Sequence, residues 1–206
     1  MKFTKIEKAI NDIKAGKLII VVDDVSRENE GDFIGAAAKV TPEIINFMIT
    51  KARGAFIAVF CEYGRCEELG IPAQRTTFEN TEINLTRMMV SVDSIKSSSG
   101  SSAFDRALTV NMLADPYATP GSLRKPGHVI PIESVCGGIK KRQGHTEAGV
   151  EIVKLAGFRP AIAVDLEILS GNGKMASRQE LFEISREFDL SIISINQIKS
   201  YIVGVN

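Results

Sequence analysis

The sequence predicts one α+β domain over residues 1–206, a mixed β-sheet flanked by helices in three layers. Three observations lead there. Segments of helical period alternate with apolar runs of strand length along the whole chain. The stretches between them are mostly short, with no interdomain linker and no repeat at a fixed period. A chain of 206 residues, 44% of them hydrophobic, can bury one good core.

Ile6, Ala9, Ile10 and Ile13 recur at helical spacing, and Gly16 ends the pattern before the buried strand Leu18 to Val22. Thr41, Pro42 and Glu43 supply a cap, a proline at the first helical position and an acid at the positive end of a helix running to about Ala52. Strands are expected from Ala55 to Phe60 and from Leu85 to Val92. Ser102 and Asp105 have capping-box spacing ahead of Ala103, Ala107, Leu108 and Leu113, and that helix should end near Asp115-Pro116. From Thr146 a helix runs to Gly157, and the strand Ala161 to Ile168 follows at once. A second capping box, Ser177 with Glu180, opens a helix, and the strand Ser191 to Ser194 leads into a final one.

Composition excludes several classes. Twenty-five basic and 25 acidic side chains give a formal net charge of zero, so there is no electrostatic footprint for nucleic acid or for an anionic membrane. The longest aliphatic run, Leu18 to Val22, is far short of the ~20 residues that cross a bilayer. No secretory or lipidation signal is visible, and the odd set Cys61, Cys66 and Cys136, with no C-x-x-C pair, fits a reducing compartment. A cytoplasmic protein is expected.

The densest chemical signal is Asp23-Asp24-Val25-Ser26-Arg27-Glu28-Asn29-Glu30-Gly31-Asp32, directly after a buried strand. If extended, it turns Glu28, Glu30 and Asp32 to one side. Carboxylates so gathered repel unless a proton or cation sits between them, and hard oxygens of this kind suit Mg²⁺ or Mn²⁺. The plainer reading is a solvated acidic turn. An EF-hand is excluded, because with Gly31 as its central glycine the first and last ligands would be Ser26 and Ala37.

A second signal, Lys140-Lys141-Arg142-Gln143-Gly144-His145-Thr146-Glu147, stands before a helix start, where free amides favour an anion. Thr146 can cap the helix, Gly144 can let the backbone approach a phosphate, and Arg142 can grip it with a fork of donors. His145 sits where it could reach a metal, although a lone histidine is more often an ordinary core or surface residue. His128, behind Pro126-Gly127, is either a plain turn residue or an acid/base group held on a loop. Glu167 interrupts an apolar strand and shares its face with Asp165; it is either paired structurally or lines a site as a base. Gly171-Asn172-Gly173-Lys174-Met175-Ala176 matches a dinucleotide fingerprint only formally, since Ser177 opens the helix and the next strand offers no acid for a ribose. Ser97 to Ser102 alone read as a flexible loop.

Together these residues resemble the 3,4-dihydroxy-2-butanone 4-phosphate synthases of riboflavin biosynthesis, over nearly the whole chain. The resemblance rests on the unbroken Asp-Asp-x-x-Arg-Glu-Asn-Glu-Gly-Asp from Asp23 to Asp32 and on Arg-x-Gly-His-Thr-Glu from Arg142 to Glu147. Ser102-x-x-Asp105-Arg106-x-x-Thr109, Pro126-Gly127-His128-Val129 and Glu167 follow in the expected order. With no cyclohydrolase domain appended, the chain is similar to the monofunctional form.

The resemblance implies a homodimer with active sites near the interface. It implies a lyase that converts D-ribulose 5-phosphate to formate and L-3,4-dihydroxy-2-butanone 4-phosphate with two Mg²⁺ or Mn²⁺ ions per site. Glu28 and His145 would hold the metals. Arg27, Glu28, Asp32, Arg142, Gln143, Gly144, His145, Thr146 and Glu167 would bind substrate. His128 and Glu167 would be essential for catalysis, and Glu30 and Asp105 are expected to relay protons or orient metal waters. Four positions depart from the common pattern: Lys125, Glu133, Leu166 and Ile57. The Glu133 change reverses a charge near the His128 loop. Two rival readings stay open, a metal-dependent phosphosugar isomerase or aldolase and a non-catalytic phosphate- or nucleotide-binding module.

Overall fold

A computed structural model describes residues 2–24, 27–54 and 56–204; Val25 and Ser26 of the acidic run and Ala55 of the third expected strand lie outside the described residues. The order is α1 (Ile6–Lys14), β1 (Ile19–Val22), β2 (Gly31–Ala36), α2 (Pro42–Ala52), β3 (Ala58–Cys61), α3 (Arg65–Glu68), β4 (Val92–Ser94), α4 (Ala103–Ala114), β5 (Leu123–Glu133), α5 (His145–Leu155), β6 (Ile162–Glu167), α6 (Arg178–Glu187), β7 (Ser191–Ser194) and α7 (Ile195–Gly204). Seven strands form one mixed sheet in the order β4-β5-β3-β6-β2-β1-β7, with β3–β5 and β1–β7 parallel and the other neighbours antiparallel. Helices cover both faces, the three-layer α+β arrangement expected.

Period two divides the strands between two cores. Ile20, Val22, Phe33, Val59 and Val164 pack toward α2, α4 and α6. Ile19, Val21, Ile34, Ala58, Phe60 and Ala163 pack toward α1, α5 and α7. The sequence-read helix ends hold: Thr41 Oγ1 accepts the Ile44 N–H, Ser102 Oγ accepts the Asp105 N–H, and Ser177 and Glu180 close a full capping box.

Several elements differ from the sequence reading. β2 was not read as a strand, because Gly31, Asp32 and Gly35 look like turn residues and all six positions are buried, which removes the alternation that betrays a half-exposed strand. Gly31 is required there: a Cβ would fall 2.4 Å from Leu181 Cδ1 of α6. The expected strand Leu85 to Val92 is instead an irregular segment joined to β5 of the sheet by the bridge Met88–Ile132 and to the preceding loop by Ala73–Met89, and β4 begins where that run was to end. Pro126-Gly127-His128 lies inside β5 and not in a free loop. Val92 pairs with Val129 while Asp93 pairs with Arg124, so residues 125–128 form a bulge in the β4–β5 ladder. The dinucleotide-like segment 171–176 is a turn closed by a Leu169–Met175 bridge. α5 starts at His145 with Gly144 as its cap, which moves Thr146 from the expected cap into the first turn.

Phe33 is fully buried in β2, its ring centroid 5.6 Å from that of Phe47 on α2. Phe33→Ala is expected to cost about 3–5 kcal/mol through lost transfer energy and the cavity left behind, read as a lower urea midpoint with an unchanged m-value.

Candidate active site

The sheet supplies the floor. Antiparallel register sets Asp32 opposite Glu167, and Ala58 opposite Asp165, so three carboxylates share the α5 face of adjacent strands. Ala58 leaves space above them. Arg27, Glu28, Glu30, the even-numbered side chains of segment 82–88 and the start of α5 wall a cavity of about 140 Å³ over this floor.

Asp23 organises the acidic turn, a role the sequence reading missed. Its carboxylate accepts the Glu28 N–H at 3.0 Å and the Glu30 N–H at 2.9 Å and pairs with Arg27 at 3.1 Å, while its main chain pairs with Glu30. Arg27 also pairs with Glu28. Glu28, Glu30 and Asp32 consequently converge, although the chain turns at Arg27–Glu28 and is not extended throughout.

His145 closes the cluster from the first turn of α5. Its Nδ1 lies 3.5 Å from Asp32 Oδ2 and 3.8 Å from Glu28 Oε2. Its Nε2 is buried without a hydrogen-bond partner, as is Asp32 Oδ1. Asp23, Glu28 and His145 each offer a ligand atom within 4.8 Å of the others. Orphaned buried donors of this kind, hard oxygens with one imidazole, fit Mg²⁺ or Mn²⁺.

Charge in this pocket is frustrated. Burial pushes Asp32 well above the carboxylate range, with Asp165 and Glu167 adding to the rise against the opposing pull of His145. Burial raises Asp165 too, and Glu167 adds to that rise, so both floor carboxyls resist ionisation. Burial, then Glu167 and Glu28, lifts Glu30 to about 7. Glu167 is raised by burial and by Glu28, against His145. Glu28 is lowered, chiefly by the His145 imidazole facing it, with Arg27 adding to the pull. Burial alone would lower His145, yet Asp32, Glu28 and Asp23 outweigh it and raise the imidazole to about 9.

Arg142 is held by three acceptors: Glu147 Oε2 at 2.7 Å, Thr86 Oγ1 at 2.9 Å and Asn84 O at 3.4 Å. Five guanidinium N–H groups against these three acceptors leave capacity for an anion. Thr146 lines the cavity beside it, at the positive end of α5. Gly144 makes room for Arg142, since a Cβ would fall 2.4 Å from its Nη1. Gln143 is exposed and lines a separate depression with Asp24, Arg27 and Asn196.

His128 and Asp105 do not line this cavity. They belong to a second polar cluster. His128 is exposed at the β5 bulge, its Nδ1 2.8 Å from Asp93 Oδ2 and its N–H bonded to Asp93 Oδ1 at 2.9 Å. Asp105 accepts from the Ser98 N–H and Oγ, the Gly100 N–H and the Ser102 Oγ, bonds that hold its carboxyl below the usual range and give residues 97–102 a defined path. Gly100 joins the halves: a Cβ on it would fall 2.1 Å from Asp93 Oδ2 and 2.5 Å from His128 Nδ1.

The sequence matches the family profile of 3,4-dihydroxy-2-butanone 4-phosphate synthase over residues 7–201. The chain belongs to that family. It is 44% identical over 203 residues to riboflavin biosynthesis protein RibBA of Parabacteroides distasonis, covering 98% of this chain and 49% of that protein. It is also 44% identical to RibBA of Synechocystis sp. over 202 residues, 97% of this chain and 36% of the relative. The chain spans about half the length or less of these curated relatives. A crystal structure of a 3,4-dihydroxy-2-butanone 4-phosphate synthase in complex with two magnesium ions superposes with a TM-score of 0.90 at 37% identity, covering 97% of each chain. RibBX of A. baumannii, a two-domain synthase, superposes with a TM-score of 0.90 at 35% identity, covering 96% of this chain and 57% of that one.

Against the synthase pattern, the reversed charge at Glu133 is locally compensated. Its carboxylate pairs with Arg87 and accepts the Gly64 and Cys66 N–H groups at 3.2 Å, at the far end of β5 from the bulge. Ile57 and Leu166 are core residues, and Lys125 reaches the Pro120 carbonyl. Asp165, Asn84 and Thr86 join the site without having been singled out. Asp165 carried a signal, since it shares the face of Glu167; Asn84 and Thr86 carried none beyond the polarity of alternate positions.

Without a cation, groups whose folded pKa is raised bind more protons folded than unfolded, so stability falls as pH rises. For His145 that contribution is full below about 6.5 and lost through about 9. In chelator, denaturant titrations should show stability declining across this window, and His145→Gln should flatten the decline.

Proposed function

We propose that the chain converts D-ribulose 5-phosphate to formate and L-3,4-dihydroxy-2-butanone 4-phosphate, a step of riboflavin biosynthesis, using two divalent cations, Mg²⁺ or Mn²⁺. The observation that carries this reading is the convergence of Asp23, Glu28 and His145, with an unpartnered buried imidazole nitrogen, beside an arginine-lined helix start. Glu28 and His145 hold the cation pair. A divalent cation, when bound, supplies Lewis-acid stabilisation for the negative charge that grows on the ketone and neighbouring hydroxyl oxygens of the sugar.

The remaining roles fall to protein groups. Arg142, with Thr146 and the first-turn amides of α5, binds the phosphate. The adjoining Gln143–Gly144 backbone shapes that end, and Arg27 keeps the acidic turn closed over the sugar. Glu30, with a pKa of about 7, is matched to accept and return a proton near neutrality. Glu167, opposite Asp32 at the strand end, is the second such group, and the Asp32 and Asp165 carboxyls, both pushed up by burial, form a floor that can hydrogen-bond a sugar hydroxyl. Dehydration and the carbon shift require several proton transfers, which a set of carboxylates with raised pKa values can divide among them.

His128 is included through a homodimer. In one chain the His128–Asp93 cluster stands apart from the cavity, while Ile95, two residues after Asp93, and Phe104, beside Asp105, lie exposed, as do Leu108 and Tyr117. Phe104 and Leu108 occupy one face of α4 at i, i+4. A second copy covering this patch would bring His128 and the Asp105-held loop to its neighbour's cavity. The reading includes a cytoplasmic location, supported by three free cysteines, two of them buried, and by the finding that no helix among the described residues is long and apolar enough to cross a membrane. Small sugar phosphates, not nucleic acids, are the partners that the neutral chain suits.

Carbon NMR with labelled ribulose 5-phosphate and Mg²⁺ tests the reaction: labelled formate that vanishes with chelator is expected, whereas an isomerised sugar without formate would favour a phosphosugar isomerase. Glu28→Gln and His145→Ala should each lower turnover at least about 1,000-fold, since each removes a ligand from the cation pair. Co-expressed Glu28→Gln and His128→Ala chains should regain about one quarter of wild-type activity, because half of the random dimers keep one intact site. No recovery would assign His128 to its own chain's site or to none.

A further inference from the structure

The segment between β3 and β4 carries none of the sequence motifs quoted above, yet it reaches both halves of the cavity. Residues 82–86 form a tight turn closed by side chains. Glu82 Oε2 accepts the Asn84 N–H at 3.1 Å and the Thr86 N–H at 2.6 Å, and Asn80 Nδ2 bonds the Thr86 carbonyl at 3.0 Å. These bonds hold Leu85 at φ 53°, a left-handed conformation that a leucine adopts only when its neighbours fix it. The turn does not dock through apolar burial: Ile83 and Leu85 are 92% and 66% exposed. Its inward side chains are Glu82, Asn84 and Thr86.

Two ties run inward from it. Asn84 Nδ2 donates to Glu28 Oε1, across 56 residues of sequence. The Asn84 carbonyl and Thr86 Oγ1 accept from Nε and Nη2 of Arg142. One turn thus touches a cation ligand through a side chain and the anion-binding arginine through its backbone and its next inward residue. We propose that Asn84 is the positioning residue for Glu28, and that the 82–86 turn sets Glu28 relative to Arg142. This rests on the functional reading above, in which Glu28 is a cation ligand.

The physical case is orientation without charge. A carboxylate with one oxygen held by an amide N–H has a fixed plane, and its other oxygen, here paired with the half-exposed Arg27, can exchange that partner for a cation. An amide remains a neutral donor at any working pH, so it orients Glu28 without adding to the crowded negative charge or competing as a cation. Because the same turn braces Arg142, a shift of the turn would move both ends of the bound sugar phosphate.

The test is Mn²⁺ binding to the purified protein without substrate, followed by electron paramagnetic resonance. Asn84→Ala is expected to weaken Mn²⁺ binding about 10-fold or more. Its thermal unfolding in chelator should match the wild type, and turnover lost at limiting Mn²⁺ should recover at saturating Mn²⁺. Leu85→Gly, which relaxes the turn backbone without touching Glu28, should keep Mn²⁺ affinity within about twofold, below the range of an orienting partner's loss. An Asn84→Ala affinity within twofold of wild type, with binding abolished in Glu28→Gln, overturns the role of Asn84 and leaves the cation reading intact. Equal weakening in Asn84→Ala and Leu85→Gly overturns it in favour of general turn integrity. Unchanged binding in Glu28→Gln overturns both readings.

Discussion

Carboxylates crowded together around one end of the sheet, two of them buried, are the constraint around which this molecule is arranged. Asp32, Asp165 and Glu167 sit on one face of neighbouring strands, Glu28 and Glu30 arrive from the turn after β1, and one imidazole faces them. Their repulsion at close range in a low dielectric would unfold an ordinary core, so it must be met by protons, by His145 or by a cation. Each neighbouring feature answers that need. Asp23 gathers the turn through two backbone amides, and α5 starts where its first residue can be the imidazole. The raised pKa values that make the metal-free site uncomfortable are also what give it groups able to exchange protons near neutrality.

The second polar cluster has the opposite character. Asp105 is saturated by serine and backbone donors, and His128 is oriented by Asp93 on a strand bulge, so this half is preorganised and electrostatically quiet. Its surroundings, not its chemistry, are unfinished: aromatic and aliphatic side chains stand in water beside it. One chain thus carries a charge-crowded cavity and, apart from it, an oriented histidine that lines no part of that cavity. In the homodimer proposed above, a single kind of contact, used twice, would join these halves.

How much of this was legible in the sequence depended on which signal each residue carried. Capped helices with clear period, α2, α4 and α6, were read nearly to the residue because cap chemistry is local. β2 was missed because a fully buried central strand with two glycines and an acid shows neither alternation nor a clean apolar run. In β5, Pro126-Gly127 was understood as turn chemistry, but the structure uses it for a bulge, a choice that only the facing strand decides. The acidic run and the Arg142–Thr146 segment announced the site because their residues lie close in sequence. Asp165 announced itself weakly, and Asn84 not at all, since its partner is 56 residues away and an asparagine in a polar loop has many ordinary uses.

The shifts in the pocket reach beyond it to how the whole molecule binds protons. Counting side chains gives 25 positive and 25 negative charges and a sequence pI near 6.8. That count assigns every acid and histidine its ordinary value, whereas burial and like charge raise Asp32, Asp165, Glu30 and Glu167, and the surrounding carboxylates raise His145. Each of these shifts favours the protonated form. A divalent cation entering the pocket therefore competes with protons for the same oxygens and the same imidazole, and its uptake is coupled to their release.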